Sequence, residues 1–337
     1  MATRAEHDAP ATDDLPTYED VKAAADRIAG QAVVTPLYES PALNARLRGR
    51  ILLKAENLQR TGSFKFRGAY NTISQIPVQD RARGVVAYSS GNHAQGVAAA
   101  AALVGLPATI VMPEDAPAIK KENTKSYGAE IVLYDRFGES REKVAEELAK
   151  DRGATLIRPY DDPNIIAGQG TCGLEIVTQA KALGAAPDAV LICCGGGGLS
   201  AGCALALSNE LPQAKLYTVE PEGFDDTARS FKTGTRQDNV PGARSFCDAL
   251  LSPNPGELTF AINKQAFAGG LVVTDTEVAE AMAYAFRSLK LVVEPGGAVT
   301  LAALLSGKID AKGKTIAATL SGGNVDPETF CEVLGRS

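Results

Sequence analysis

Lys65 lies between two aromatic residues in the run Gly62-Ser63-Phe64-Lys65-Phe66-Arg67-Gly68. Flanking rings can strip water from an amine, which lowers its pKa and makes it a nucleophile or base. The same run, with Arg60, also fits an ordinary solvated basic face. A second candidate is Gly195-Gly196-Gly197-Gly198, which follows the apolar run ending Ile192-Cys193-Cys194 and opens an Ala-rich segment. Four glycines leave backbone N–H groups bare at a helix start, where the helix dipole adds partial positive charge, so the turn is suited to a phosphate. The glycines do not say which phosphate. Gly196-x-Gly198-x-x-Ala201, with Glu220 about 20 residues on, also satisfies the relaxed dinucleotide fingerprint, so a nicotinamide-dependent oxidoreductase stays open on this turn alone.

Three further turns carry polar groups. Ser89-Ser90-Gly91-Asn92-His93 gathers two hydroxyls, an amide and an imidazole at a helix start. It suits a carboxylate or a phenolic oxygen, or it simply caps the helix. Ser321-Gly322-Gly323-Asn324 is by itself a generic small-residue loop. Glu220-Pro221-Glu222-Gly223-Phe224-Asp225-Asp226 offers several oxygens to a hard cation such as Mg²⁺ or Ca²⁺, or is a solvated acidic loop. A nucleotide P-loop before Gly313-Lys314-Thr315 would need glycine at 308, where Lys308 stands.

Apolar runs of strand length at 51–55, 84–88, 108–112, 130–134, 189–194, 215–219 and 315–320 must position these turns. They alternate with helical stretches at 18–28, 68–76, 95–104, 116–127, 140–150, 168–183, 200–209 and 277–289. Thr17 and Asp20 form a capping-box-like start for the first helix. Strand and helix in alternation predict an α/β fold of parallel sheets flanked by helices. Ligands in such folds sit at the carboxyl ends of strands, where the glycine-rich turns lie.

The chain has 337 residues, 45% hydrophobic and 22% charged, with a net charge of −6. That is enough for two lobes and too apolar for general disorder. The negative charge argues against a nucleic-acid or anionic-membrane partner. Two histidines, His7 and His93, exclude a multi-histidine metal centre, and the six cysteines form no CxxC pair. No disulfide-framework spacing is present, which fits a reducing, cytoplasmic setting. The N-terminus lacks the plan of a signal peptide. The longest apolar stretch, 97–112, is broken by Gly105 and Pro107, and a spanning helix needs about 20 residues. Residues 1–16 read as a mobile tail.

Six motifs, taken together and in order, resemble the fold-type-II pyridoxal-phosphate family, specifically its threonine/serine dehydratases and serine racemases. They are Gly62-Ser63-Phe64-Lys65-x-Arg67-Gly68-Ala69, Ser89-Ser90-Gly91-Asn92-His93-Ala94-Gln95-Gly96, Ala167-Gly168-Gln169-Gly170-Thr171, the tetraglycine, Val293-Glu294-Pro295-Gly296-Gly297-Ala298 and Ser321-Gly322-Gly323-Asn324. They span residues 56 to 326. The ordered set favours the reactive reading of Lys65 over the solvated basic face, and the oxidoreductase reading does not account for the other five motifs.

The resemblance implies a two-lobed, tryptophan synthase β-like α/β enzyme. Residues 1–82 and 161–337 would form a large lobe, and 83–160 a small lobe that closes on substrate. Lys65 would carry pyridoxal phosphate and later take the α-proton. Phe64 would pack near the pyridine ring, and Asn92 would hydrogen-bond its phenolic oxygen. Gly195, Gly196, Gly197, Gly198 and the Leu199 N–H would hold the phosphate. Ser321 would face the pyridine nitrogen, a weaker partner than an aspartate and suited to β-elimination. The substrate carboxylate would sit in the turn of Ser89, Ser90, Gly91, Asn92 and His93.

The implied reaction is dehydration and deamination of serine, threonine or 3-hydroxyaspartate to a 2-oxo acid and ammonia. Racemisation is the alternative, with Lys65 and Ser90 on opposite faces of the substrate. Arg141 matches an arginine of the racemase subgroup and would pair with a second substrate carboxylate; its plainer reading is a helix salt bridge. Ser252 matches a substrate-pocket serine. Glu220, the Phe224 carbonyl and Asp226 match a divalent-cation site, although the racemases tend to have a small residue where Phe224 stands. A homodimer is the family's habit.

Overall fold

The computed structural model describes residues 15–335 apart from 117. Most of the expected tail lies outside the described residues. Its last two positions do not behave as a tail: Pro16 is buried and Leu15 packs against the core. The capping box of Thr17 and Asp20 is formed, and the helix Tyr18–Ile28 follows as expected.

The strands are β1 (Leu37–Glu39), β2 (Arg50–Ala55), β3 (Val85–Tyr88), β4 (Ala108–Pro113), β5 (Glu130–Tyr134), β6 (Thr155–Ile157), β7 (Ala189–Cys193), β8 (Lys215–Pro221), β9 (Phe267–Val273) and β10 (Thr315–Leu320). One sheet has the order β1-β2-β10-β7-β8-β9, with β1 antiparallel to β2 and every other neighbour parallel. The other has the order β5-β4-β3-β6 and is parallel throughout. Ile51, Leu52 and Leu53 are successive residues of β2 and all are buried. A strand covered on both faces needs this unbroken apolar run, which marks a parallel sheet packed between helices.

All seven expected strands form, and three more join them. β1 and β6 have only three residues each. β9 contains Gly269-Gly270, a pair that reads as a turn. Gly270 is there because the helix Asp226–Thr233 crosses it: a Cβ would sit 2.5 Å from that of Ala228. The expected helix 277–289 is α-helical only over Asp275–Tyr284. It continues as a π-helical turn, Ala285–Leu289, ended by Lys290 at φ 62°.

Glycines set how closely the helices pack. The helix Lys65–Ser74 lies against Pro163–Ala182, where a Cβ on Gly168 would fall 2.6 Å from the Cα of Gly68. Pro163–Ala182 in turn lies against Gly198–Glu210, where a Cβ on Gly170 would fall 2.7 Å from the Gly202 carbonyl oxygen. The motif around Gly168 therefore acts through packing. It fixes the helix that begins at Lys65 relative to the helix that begins at the tetraglycine.

The basic-face reading of Arg60, Lys65 and Arg67 is corrected here. Arg67 is fully buried. Its guanidinium donates to both oxygens of buried Glu56 (2.7 and 2.8 Å), to both oxygens of Glu175 (2.7 and 2.8 Å) and to Thr171 Oγ1 at 3.2 Å. A planar fork with fixed donors can satisfy two carboxylates at once. Arg67 thus bolts the first turn of the Lys65 helix to two other elements.

Candidate active site

Three of the expected turns leave strand ends. Residue 89 follows β3, residue 195 lies just past β7, and Ser321 follows β10, the parallel neighbour of β7. They meet at one cavity of about 350 Å³. Phe64, Lys65, residues 89–93, Arg141, residues 195–199, Ser252 and Ser321 all line it. Glu220, Phe224 and Asp226 do not; they form a separate cluster at the end of β8.

Lys65 is half-buried at the cavity wall, and its Nζ donates to the Pro159 carbonyl at 2.7 Å. Burial pushes its amine down to about 8, against the pull of Glu294. The loss of hydration disfavours the ammonium form more than one nearby carboxyl restores it. Its Nζ also stands 5.3 Å from the Phe64 ring centroid.

The tetraglycine turn is shaped by its surroundings. A Cβ on Gly196 would lie 2.5 Å from the Tyr160 ring, and Gly197 has φ +95° with Thr259 2.8 Å from its would-be Cβ. The bare N–H groups and the start of the helix Gly198–Glu210 line the cavity. This is the geometry that favours a bound phosphate.

At the second turn, the helix Asn92–Val104 begins with Gly91 as its cap. The Ser89 hydroxyl accepts the Gly91 N–H at 3.2 Å. His93 Nε2 donates to the Ile157 carbonyl at 3.1 Å. Burial and the nearby Lys65 charge push the imidazole down to about 3, so it is neutral. Its proton is committed to Ile157, and the buried Nδ1, which has no partner, can only accept. At this turn the donors for an anion are thus N–H and hydroxyl groups, not the imidazole.

Arg141 is the first residue of the helix Arg141–Arg152, capped by Ser140. Its Nε donates to the next residue, Glu142, at 2.8 Å, an ion pair between neighbours in place of the i,i+3 or i,i+4 helix salt bridge that sequence allowed. Arg141 nevertheless lines the cavity, with its guanidinium carbon 5.8 Å from the Tyr88 ring centroid. The ion pair and the cavity position coexist.

Among the lining residues that sequence reasoning did not single out, four bear on the chemistry. Tyr160 abuts the tetraglycine, and burial pushes its phenol up to about 12. Lys120 Nζ and Asp248 Oδ2 pair at 2.6 Å, and both residues line the cavity. Glu294 is buried, and its Oε1 accepts from Asn92 Nδ2 at 2.6 Å. Glu294 stood inside a recognised motif, which was the available signal; the others are brought in by tertiary contacts alone.

In the acidic turn, Glu220 accepts the N–H groups of Thr227 (2.9 Å) and Ala228 (2.8 Å). Burial and the Asp226 charge push Glu220 well above the usual carboxylate range. Burial likewise pushes Asp226 up to about 7, and its Oδ2 is buried without a partner. Both Glu220 oxygens are thus taken by backbone N–H groups, the Asp226 oxygen is left over, and among the described residues no cluster of three or more His, Cys, Asp or Glu side chains is placed to hold a metal ion.

Comparison with known proteins gives a consistent picture. The sequence profile of a family described as "Pyridoxal-phosphate dependent enzyme" matches residues 28–322. The L-threo-3-hydroxyaspartate ammonia-lyase of a Pseudomonas species is 44% identical over 320 residues, 95% of this chain and 99% of that protein. The serine racemase of Schizosaccharomyces pombe is 40% identical over 322 residues, 96% of this chain and 98% of that protein. Among solved structures, a T.th. threonine deaminase is similar with a TM-score of 0.87 at 44% identity, covering 92% of this chain and 99% of that one. The nicotinamide reading of the tetraglycine turn has no counterpart among these relatives.

Proposed function

Because this chain belongs to the pyridoxal-phosphate-dependent enzyme family, we propose that it is an ammonia-lyase of 3-hydroxy amino acids and that 3-hydroxyaspartate is the substrate its site suits best. The observation that carries the choice is Arg141, which lines the same cavity as Lys65 and the Ser89–His93 turn. A dicarboxylate needs two anion sites flanking the reacting carbons. A guanidinium is a geometric match for the second.

The cavity fits the cofactor: an amine of lowered pKa, an N–H cradle at a helix start and a neutral hydroxyl, Ser321, lie on its walls. When bound, pyridoxal phosphate supplies an electron sink that acidifies the substrate α-carbon. Lys65 would hold it and then take the α-proton, as a base near its own pKa can at neutral pH. The 195–199 turn would hold its phosphate, Phe64 would pack beside its ring, and Asn92 would donate to its phenolic oxygen. The N–H groups and hydroxyls of residues 89–93, with Ser252, would hold the α-carboxylate, and Arg141 the β-carboxylate. The α-proton and the β-hydroxyl would leave, in sum, as one water, and the enamine released would tautomerise and be hydrolysed by a second water to a 2-oxo acid and ammonia.

Ser90 supports a second reading, racemisation. It lines the same cavity, and one relative is a serine racemase. A divalent cation held by Glu220, the Phe224 carbonyl and Asp226, a homodimer, and a small lobe over 83–160 that closes through contacts such as Lys120–Asp248 belong to the same proposal. The test is product analysis with purified protein, pyridoxal phosphate and Mg²⁺. Equimolar 2-oxo acid and ammonia from a 3-hydroxy amino acid support the lyase. An accumulating enantiomer with no 2-oxo acid makes the racemase reading the correct one.

A further inference from the structure

Glu294 is used by neither the phosphate cradle nor the substrate turns, yet it is the buried carboxyl of the cavity wall, with 3% of its surface exposed. Its hydrogen-bond partners are neutral: Asn92 Nδ2 at 2.6 Å and the backbone N–H of Asn324. Lys65 and Lys120 act on it through space and Asp248 opposes it. The other end of the Asn92 amide is also fixed. Asn92 Oδ1 accepts from Asn324 Nδ2 at 2.8 Å, and that nitrogen also donates to the Thr61 carbonyl at 2.7 Å.

The two ends of an amide have nearly the same shape, so only hydrogen-bond partners decide which way it points. Here Asn324 Nδ2, held by the Thr61 carbonyl, demands the carbonyl of Asn92 on one side, and the Glu294 Oε1, an acceptor whether or not the other carboxyl oxygen carries a proton, takes the N–H on the other. Asn92 Nδ2 then keeps one hydrogen for a ligand. No residue with a side chain fits beside this pair. A Cβ on Gly322 would collide with Glu294 Oε1 and lie 3.2 Å from Asn92 Nδ2. Gly322 is thus the space that lets Glu294 reach Asn92.

We propose that Glu294 is a positioning residue: it locks the Asn92 amide so that its N–H, and not its carbonyl, faces the phenolic oxygen of the bound cofactor. The inference rests on the cofactor reading above. A donated hydrogen bond favours the ionised phenolic oxygen, and a carbonyl in its place would disfavour it. Burial together with the Asp248 charge pushes Glu294 up to about 8, in keeping with a carboxyl that no cation neutralises directly.

The test is the absorption spectrum of the protein reconstituted with pyridoxal phosphate, without substrate. The ionised ring absorbs in the visible and the neutral one in the near ultraviolet. In Glu294→Ala the ratio of visible to near-ultraviolet absorbance should fall about fivefold, the scale of one hydrogen bond. Glu294→Gln, whose carbonyl can still accept from Asn92, should restore the native ratio. On an Asn92→Ala background, Glu294→Ala should change nothing further, because the effect travels through Asn92. An unchanged ratio in Glu294→Ala, or an equal shift on the Asn92→Ala background, overturns the proposal. If Glu294→Ala does not fold, Asn324→Leu removes the opposite lock and should lower the ratio; an unchanged ratio there overturns it equally. A wild-type protein with no visible band would instead overturn the cofactor reading, and this inference with it.

Discussion

The Lys65 amine is hydrogen-bonded to the carbonyl of Pro159, 2.7 Å away and 94 residues along the chain. The acceptor is neutral, so it gives the ammonium form little of the support that a carboxylate would. Desolvation therefore prevails and the amine falls to about 8 from 10.5. The base form is present above that value. Turnover limited by proton removal should rise with pH through 8 and fall about tenfold for each unit below it. The measurement is kcat against pH at saturating substrate, from about two units below that value to about two above it. A rate independent of pH through that window contradicts this role for Lys65.

Arg67 and Glu56 give a stability prediction. Burial alone would raise Glu56, but the Arg67 charge and hydrogen bonds outweigh it and hold the carboxyl below its ordinary 4.5. A folded-state pKa below the unfolded one means that this contribution is present above about pH 4.5 and is lost as pH falls through the lowered native value. Arg67→Met leaves two carboxylates facing an apolar side chain. It should cost about 3–5 kcal/mol in denaturant unfolding near neutral pH, the cost of breaking a buried pair. A loss under about 1 kcal/mol would show that the network is solvated.

Gly196→Ala probes the phosphate cradle. The added methyl would lie 2.5 Å from the Tyr160 ring, so either the ring or the turn must shift. Cofactor affinity, read by titrating the visible band, should weaken by roughly tenfold or more, since a displaced donor is worth about one charge-assisted hydrogen bond. Unchanged affinity would mean that the 195–199 turn does not hold the phosphate.

The chemistry was more legible in the sequence than the framework around it. Lys65, the tetraglycine and Ser89–His93 are local strings at strand ends, and their order carried the family. What escaped depends on partners far along the chain. Lys120 meets Asp248 over 128 residues and Asn92 meets Glu294 over 202, and no local pattern encodes either pairing. Arg67 looked like a surface charge because its two carboxylates come from other elements. β9 was missed because Gly269-Gly270 reads as a turn until the helix Asp226–Thr233 is seen packed on it. The helix Pro295–Leu305, buried along most of its length, opens with Pro-Gly-Gly and has no amphipathic stripe to announce it.

The acidic turn gives a fourth expectation. A cation that binds only the folded protein raises its melting temperature with concentration. Mg²⁺ or Ca²⁺ should raise the Tm of the wild-type protein by several degrees, and Asp226→Asn, which neutralises the carboxyl with the orphaned oxygen, should abolish that response. An equal rise in both proteins would place the cation elsewhere.

The central claim, an ammonia-lyase that selects a dicarboxylic 3-hydroxy amino acid through Arg141, is tested most directly by kcat/KM for 3-hydroxyaspartate, serine and threonine in wild-type protein and Arg141→Ala. Losing one partner of a guanidinium–carboxylate contact costs about 2–5 kcal/mol. 3-Hydroxyaspartate should be the best wild-type substrate, its kcat/KM should fall about 10²- to 10³-fold in the variant, and serine and threonine should change by less than about threefold. Equal losses for all three, or a wild-type preference for serine or threonine that Arg141→Ala leaves intact, would contradict the claim and reduce Arg141 to the partner of Glu142.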